Sequence, residues 1–276
     1  MKMTKSEPTP CNETPDFLIT KEYRRFVEFC NACQRERYIG LCYGPAGVGK
    51  TVSARHYATW HVLEHRLPRH QPYLPLPPEV ASCHTLFYTP EVGTTPRSIK
   101  EDIKEMRLML NRFVEEAAHC PGDPPMVGAP LDQCHLIVID EADRLKMPAL
   151  EQLRDIYDRG AMGLVLIGLP GLEKRMSRFA QLYSRVGFAH EFRALSAEEM
   201  QFILAHHWER CGLRLEHTDF SDSEAVASIV RITGGNFRLL QRLFAQIGRI
   251  LQVNHLSSIT REVVEAAREC LVIGTT

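Results

Sequence analysis

With 276 residues, 44% of them hydrophobic and 24% charged, the chain has a globular composition and the length for one α/β core with a smaller appended domain. Its 33 basic and 34 acidic side chains leave a formal net charge of −1, which excludes a global attraction to nucleic acid and confines any such binding to a local patch. No run approaches the ~18 apolar residues of a membrane span, and the opening MKMTKSEPTPCNETPDF lacks the apolar segment of a signal peptide. The nine cysteines suit a reducing compartment, so a cytoplasmic protein without membrane contact is expected.

Residues 1–20 read as a flexible polar tail. Glu22–Arg37 has helical spacing, with Tyr23, Phe26, Val27, Cys30 and Cys33 or Gln34 on one face. Cys30-Asn-Ala-Cys33 has the spacing of a metal or redox pair, but no second pair completes a zinc set, and the cysteines are read as part of that apolar face. Tyr38–Tyr43 reads as a buried strand. It runs into Gly44-Pro45-Ala46-Gly47-Val48-Gly49-Lys50-Thr51, which meets every fixed position of G-x-x-x-x-G-K-[ST]. The glycines let successive backbone N–H groups turn inward onto phosphate oxygens, Lys50 can reach the β- and γ-phosphates, and the Thr51 hydroxyl can hold Mg²⁺. From Val52 the chain continues as a helix to about Val62, its N-terminus facing the anion. ATP with Mg²⁺ is the expected ligand.

A proline-rich excursion follows at 67–78, then a strand at Cys83–Tyr88. Pro96 opens a long helix with Ile99, Ile103, Met106, Leu110 and Phe113 at helical spacing, and Pro121–Pro130 is a loop. Leu136–Ile139 is a short apolar run of the kind found at the centre of a parallel sheet, and it ends in Asp140-Glu141. An Asp at that strand end can hold the Mg²⁺ water shell, and Glu141 is placed to polarise a water for attack on the γ-phosphate. A helix (Ala149–Tyr157), a strand (Gly163–Ile167), a helix (Leu172–Phe179) and a strand (Gly187–Phe192) complete an α/β alternation that predicts a parallel sheet with covered faces.

After Phe192 only helices are predicted. Ser196-Ala-Glu-Glu199 and Ser221-Asp-Ser-Glu224 read as capping boxes, Gly234-Gly235 as a break, and Asn236–Leu251 and Thr260–Leu271 as further helices, with His206-His207 on a helix surface. The expected organisation is a tail (1–20), a P-loop α/β core (21–193) and a small all-α lid (194–276).

Five stretches carry a family resemblance: YIGLCYGPAGVGKT (38–51), LIVIDEADRLK (136–146), LVLIGLPGLEKRM (164–176), LYSRVGF (182–188) and TGGNFRLLQRL (233–243). They resemble the TniB/TnsC-type transposition ATPases, AAA+ regulators that accompany DDE transposases, with MuB-like and origin-recognition ATPases as relatives. The resemblance implies an AAA+ core with a helical lid, ATP-dependent rings or helical oligomers on double-stranded DNA without sequence preference, ATP hydrolysis, and a transposase and target selector as partners. It gives Arg238 the role of a lid arginine contacting the γ-phosphate. Arg185, with Arg178 in reserve, becomes the arginine offered to a neighbouring subunit's nucleotide. Such proteins usually carry a polar residue at the end of the fourth strand, where this chain has only Gly168 and Leu169.

Lys100, Lys104 and Arg107 form a basic stripe on the helix after Pro96, in the region that tracks the DNA backbone in the family's oligomers. Glu101, Asp102 and Glu105 share that helix and can pair with those bases instead. Two other readings are a replication-initiator or loader ATPase, expected to add a C-terminal winged-helix domain, which is not expected here, and a nucleotide-dependent scaffold, expected to show a degraded Asp-Glu pair.

Overall fold

In the computed structural model, which describes residues 17–64, 76–119, 132–216 and 219–271, the short apolar runs become strands of one sheet. These are β1 (Ile39–Tyr43), β2 (Thr85–Tyr88), β3 (Leu136–Ile139), β4 (Gly163–Gly168) and β5 (Val186–Glu191). The order is β2-β3-β4-β1-β5, and every neighbouring pair is parallel. All residues of β2, β3 and β4 are buried, as expected of strands covered on both faces, while edge strand β5 alternates half-buried and exposed.

The covering helices are α1 (Lys21–Glu36), α2 (Lys50–Tyr57), α3 (Trp60–Leu63), α4 (Pro96–Ala118), α5 (Met147–Arg159), α6 (Leu172–Met176) and α7 (Ala180–Tyr183). Helix α1 buries Phe26, Phe29, Cys30 and Cys33, and Cys33 Sγ lies so close to Gly40 that a Cβ there would sit 2.4 Å from it. Burial pushes the Cys33 thiol up to about 12, so both cysteines act as small core hydrophobes. Two helices differ from expectation by being broken. Thr59 adopts a φ of 52°, ending α2 and turning Trp60 and Leu63 into the core, where Trp60 meets Phe87 at 6.3 Å between ring centroids. The expected helix 172–179 stops at Met176 and restarts as α7, leaving Arg178 exposed between the pieces. Of the proline-rich excursion, residues 65–75 lie outside the described residues and Pro78–Ser82 forms a 3₁₀ helix; the expected loop at 121–130 also lies outside them.

The described residues divide into two compact units, Glu22–Arg193 and a second made of the segment up to Lys21 with the chain from Ala194 on. The second is helical: α8 (Ala197–Arg210), α9 (Phe220–Thr233), α10 (Phe237–Asn254) and α11 (Arg261–Glu269). They share a core of Ile203, Leu204, Trp208, Ile229, Leu240, Leu243, Ile247 and Val264, each burial contributing about 1.5–3 kcal/mol for a side chain of this size. Leu18 packs on this core, so residues 17–20, expected in the tail, are attached to it; residues 1–16 lie outside the described residues.

The Ser196 box forms, with Ser196 Oγ accepting from Glu199 N–H at 3.3 Å and Glu199 accepting from Ser196 N–H at 3.0 Å. The second expected box does not. Asp219 caps α9 by accepting from Ser221 N–H at 2.7 Å, a charged acceptor two residues upstream of the serine that sequence favoured. His207 is a further correction: it is buried and stacked on Phe244 with centroids 4.4 Å apart, not on a surface. Among the described residues no helix is long and apolar enough to cross a membrane.

Candidate nucleotide site

The phosphate loop leaves the carboxyl end of β1, which lies between β4 and edge strand β5. Two contacts bind its first residue. Gly44 N–H donates to Gly168 C=O at 3.3 Å, and a Cβ on Gly44 would meet the Phe192 carbonyl oxygen at 2.1 Å, so no side chain fits there. Gly47 and Gly49 take φ of 82° and 111°, left-handed backbone that turns the loop into α2. Gly49 is the N-cap of α2 and offers no side-chain cap, so the first amides of the helix are available to an anion. Pro45 and Ala46 are exposed, Val48 is buried, and Val52, in the first turn of α2, is 48% exposed. Buried Lys50 folds back, its Nζ donating to Gly44 C=O at 2.6 Å and Pro45 C=O at 2.8 Å. The cation is thus held within the loop that has the geometry to receive phosphate.

Asp140 stands at the end of β3, only 2% exposed. Its Oδ1 accepts from Glu141 N–H at 2.9 Å, while Oδ2 is buried with no hydrogen-bond partner among the described residues. Burial raises its pKa above the ordinary carboxylate value; the Thr51 hydroxyl, the Glu141 N–H and the Lys50 charge oppose that rise without cancelling it. A buried carboxylate oxygen without a partner beside a hydroxyl is a donor set that fits Mg²⁺, with Thr51 and Asp140 as the residues to hold it. Glu141 follows with φ 50°, a left-handed position rare for a non-glycine residue, and is half-exposed in an ion pair with Arg144. Arg144 also donates to Pro90 C=O at 3.2 Å.

The remaining predicted residues fall elsewhere. Arg185 sits at the amino end of the sheet, where its C=O accepts from Ile39 N–H at 3.1 Å, the full length of β1 away from the phosphate loop. Its guanidinium is bidentate to Asp158, at 2.5 and 2.9 Å. Arg238 is exposed in the first turn of α10, which Asn236 caps through Leu239 N–H at 3.1 Å. On α4, Lys100 and Lys104 are exposed and form no ion pair among the described residues. Of the acids expected to compete, Glu101 is engaged with Arg97 and Asp102 accepts from Tyr88 OH at 2.8 Å, while Glu105 is exposed. Arg107 differs from the lysines, being ion-paired with Asp132 and less exposed. Arg175 has a structural part that the sequence did not suggest: its Nη1 donates to Asp143 C=O at 2.7 Å and its Nη2 donates to Leu145 C=O. No spacing rule joins an arginine to carbonyls about thirty residues upstream.

A family model described as AAA domain matches residues 33–176, just over half of the chain. The chain belongs to the AAA domain family. A Staphylococcus aureus relative described as a potential ATP-binding protein is 43% identical over 271 residues, covering 94% of this chain and 97% of its own length. The Mu-like prophage FluMu DNA transposition protein B of Haemophilus influenzae is 26% identical over 242 residues, covering 84% of this chain and 73% of its own. Among solved structures, the Thermotoga maritima RuvB Holliday junction branch migration motor matches with TM-score 0.56 and 19% identity over 92% of this chain and 70% of that one. The Aeropyrum pernix ORC1 protein in complex with DNA matches with TM-score 0.56 and 20% identity over 92% and 66%. The chain is an AAA+ protein, similar in sequence to a Mu-type transposition protein and in fold to RuvB and ORC1, with the parallel P-loop sheet and helical C-terminal region of that fold.

Proposed function

We propose that this AAA+ protein hydrolyses ATP, assembles on duplex DNA in its ATP-bound form, and regulates DNA transposition by recruiting or activating a transposase. The observation that carries the ATPase reading is the buried, partnerless Asp140 oxygen beside Thr51 at the mouth of an intact phosphate loop. The Mu-type relative supports the transposition reading.

In this reading Gly44–Thr51 enclose the phosphates with backbone N–H groups, and Lys50 exchanges its two carbonyl partners for β- and γ-phosphate oxygens. Thr51 and Asp140 would hold Mg²⁺, which would supply neutralisation of phosphate charge. Glu141 leaves Arg144, orients a water in line with the γ-phosphorus and accepts its proton, and Arg238 keeps the γ-phosphate role that the family resemblance gives it. Arg185 lies too far from its own loop to touch the same nucleotide, so the phosphate it stabilises belongs to a neighbouring copy. The exposed pair Lys100 and Lys104, more than Arg107, contacts DNA phosphates without reading bases.

Fluorescence anisotropy with labelled duplexes of unrelated sequence tests the DNA half. Binding is expected only with ATP or a slowly hydrolysed analogue, equal across sequences, with log K falling in log salt by about 0.9 per neutralised phosphate. Lys100→Glu/Lys104→Glu is expected to lose DNA and keep ATP. Duplex binding that survives in the double variant removes α4 from the interface and turns the search to Lys174 and Arg178, since Arg175 is committed to backbone carbonyls.

A further inference from the structure

The end of β4 lacks the polar side chain that ATPases of this fold usually place beside the nucleotide, yet the space is filled. A Cβ built on Gly168 would lie 2.5 Å from Asp143 Oδ2 and 2.9 Å from its Cγ and Oδ1, and these are its three nearest atoms. The Asp143 carboxylate therefore lies against the bare Cα of Gly168, and Oδ2 accepts the Leu169 N–H at 2.7 Å. A turn aspartate that merely stabilised its own loop would bond an amide two or three residues on. This one reaches 26 residues away, onto the neighbouring strand.

The peptide unit it grips is the one between Gly168 and Leu169. The carbonyl of that same unit accepts from Gly44 N–H, the first amide of the phosphate loop. A trans peptide is rigid and planar and presents C=O and N–H on opposite sides, so a displacement on one side tilts the other. One peptide plane thus stands between the phosphate loop and the turn Ala142–Arg144, which directly follows Glu141. The turn is clasped from the α6 side as well, where Arg175 donates to the carbonyls of Asp143 and Leu145. Hydrogen bonds with one ionised partner are the strong ones, and here both clasps are of that kind.

We infer that Asp143 is a positioning residue for ATP hydrolysis: its carboxylate replaces the missing side chain at Gly168 and transmits the state of the phosphate loop, through the Gly168–Leu169 peptide, to the turn that carries Glu141. The inference rests on the ATPase reading above. It also explains the glycine. Gly168 has ordinary negative-φ backbone that any residue could adopt, so what excludes a side chain there is the carboxylate and not the chain conformation.

The test is a set of single and double variants in steady-state ATPase assays, with nucleotide affinity measured separately by a fluorescent ATP analogue. Asp143→Ala is expected to lower kcat about tenfold or more with Kd within about threefold. Asp143→Asn keeps an acceptor for Leu169 N–H and is expected to restore most of the rate. Gly168→Asn alone collides with Asp143 and is expected to be inactive, while Asp143→Ala/Gly168→Asn is expected to exceed both single variants, because a polar side chain then returns to the end of β4. Wild-type kcat in Asp143→Ala overturns the inference. So does a parallel loss of kcat, Kd and melting temperature that neither Asp143→Asn nor the double variant relieves. If the wild-type protein binds ATP without hydrolysing it, the proposed function fails on its own, and the clasp is judged by hydrogen exchange. Leu169 amide protection should then rise with ATP in wild type and not in Asp143→Ala, and equal behaviour in the two overturns it.

Discussion

At the carboxyl end of the sheet, Asp140 buries a carboxylate oxygen that nothing in the described chain satisfies, and Lys50 occupies itself with two carbonyls of its own loop. At the amino end, Arg185 meets both oxygens of Asp158, and Arg154 donates to the same carboxylate at 2.7 Å. The two ends lie one strand length apart on shared strands, so the same packing supports both. They differ in whether the polar groups are complete without a ligand. Buried polar groups in folded proteins nearly always find partners, so an orphan calls for an explanation. The complete cluster at the amino end is stable as it stands and can be exposed to a second molecule without cost to the first.

The strongest way to break this comparison is to remove the cation from the incomplete end. Lys50→Ala is expected to weaken ATP binding about 100-fold, ~2.7 kcal/mol, because the loop loses the charge that balances the β- and γ-phosphates. Titration of a fluorescent ATP analogue reads this directly. Affinity within about twofold of wild type would mean that the backbone nest alone holds the nucleotide, and the phosphate-loop assignment of Lys50 would fail.

Glu141→Gln separates binding from chemistry at the same end. The amide keeps the shape, loses the proton acceptor and loses the ion pair with Arg144, so ATP should stay bound while phosphate release slows about 100-fold. ATP-dependent assemblies should persist longer in electron micrographs. Phosphate release at the wild-type rate would show that another group positions the water.

How much of this was legible in the chain follows from how far each contact reaches. The phosphate loop, the strand ending in Asp140 and the alternation of strands and helices are local patterns, and the structure reproduces the strands within a residue or two: 38–43 became Ile39–Tyr43, and 163–167 became Gly163–Gly168. The cap of α9 was misplaced because Ser221 and Asp219 compete within one turn and only geometry chooses between them. The Asp143–Leu169 bond and the grip of Arg175 join residues 26 and more positions apart, and no periodicity encodes such a pair. His207 was misjudged because α8 buries a wide face, which the polar dipeptide His206-His207 conceals.

At the complete end, Arg185→Ala is expected to leave monomer folding and ATP affinity near wild type, since Arg154 still satisfies Asp158 and a pair this exposed contributes less than about 1 kcal/mol. Turnover by the assembled protein should fall about tenfold, ~1.4 kcal/mol of barrier. Mixing Arg185→Ala with Lys50→Ala should recover part of the activity, because some interfaces then join an intact arginine to an intact phosphate loop. Assemblies that form at every mixing ratio without recovering activity would assign Arg185 to Asp158 alone.

The smallest effect concerns an orphan that marks no ligand. Among the described residues His207 Nε2 is buried without a hydrogen-bond partner, but the ring is stacked on Phe244, part of the apolar core of the helical unit. Burial, aided by the charges of Arg210 and His206, lowers its pKa to about 4. In the unfolded chain it titrates near 6.5, so between these values the unfolded state binds more protons than the folded one. The neutral ring's stability contribution is therefore complete above about pH 6.5 and is lost as the pH falls toward 4. The loss is on the order of 3 kcal/mol if nothing relaxes. His207→Phe keeps the stack and removes the titration, so urea midpoints at pH 7 and pH 5 should move less in the variant than in wild type. Equal pH dependence in the two would mean that the ring escapes to solvent on protonation, and that the helical unit opens at α8 before it unfolds.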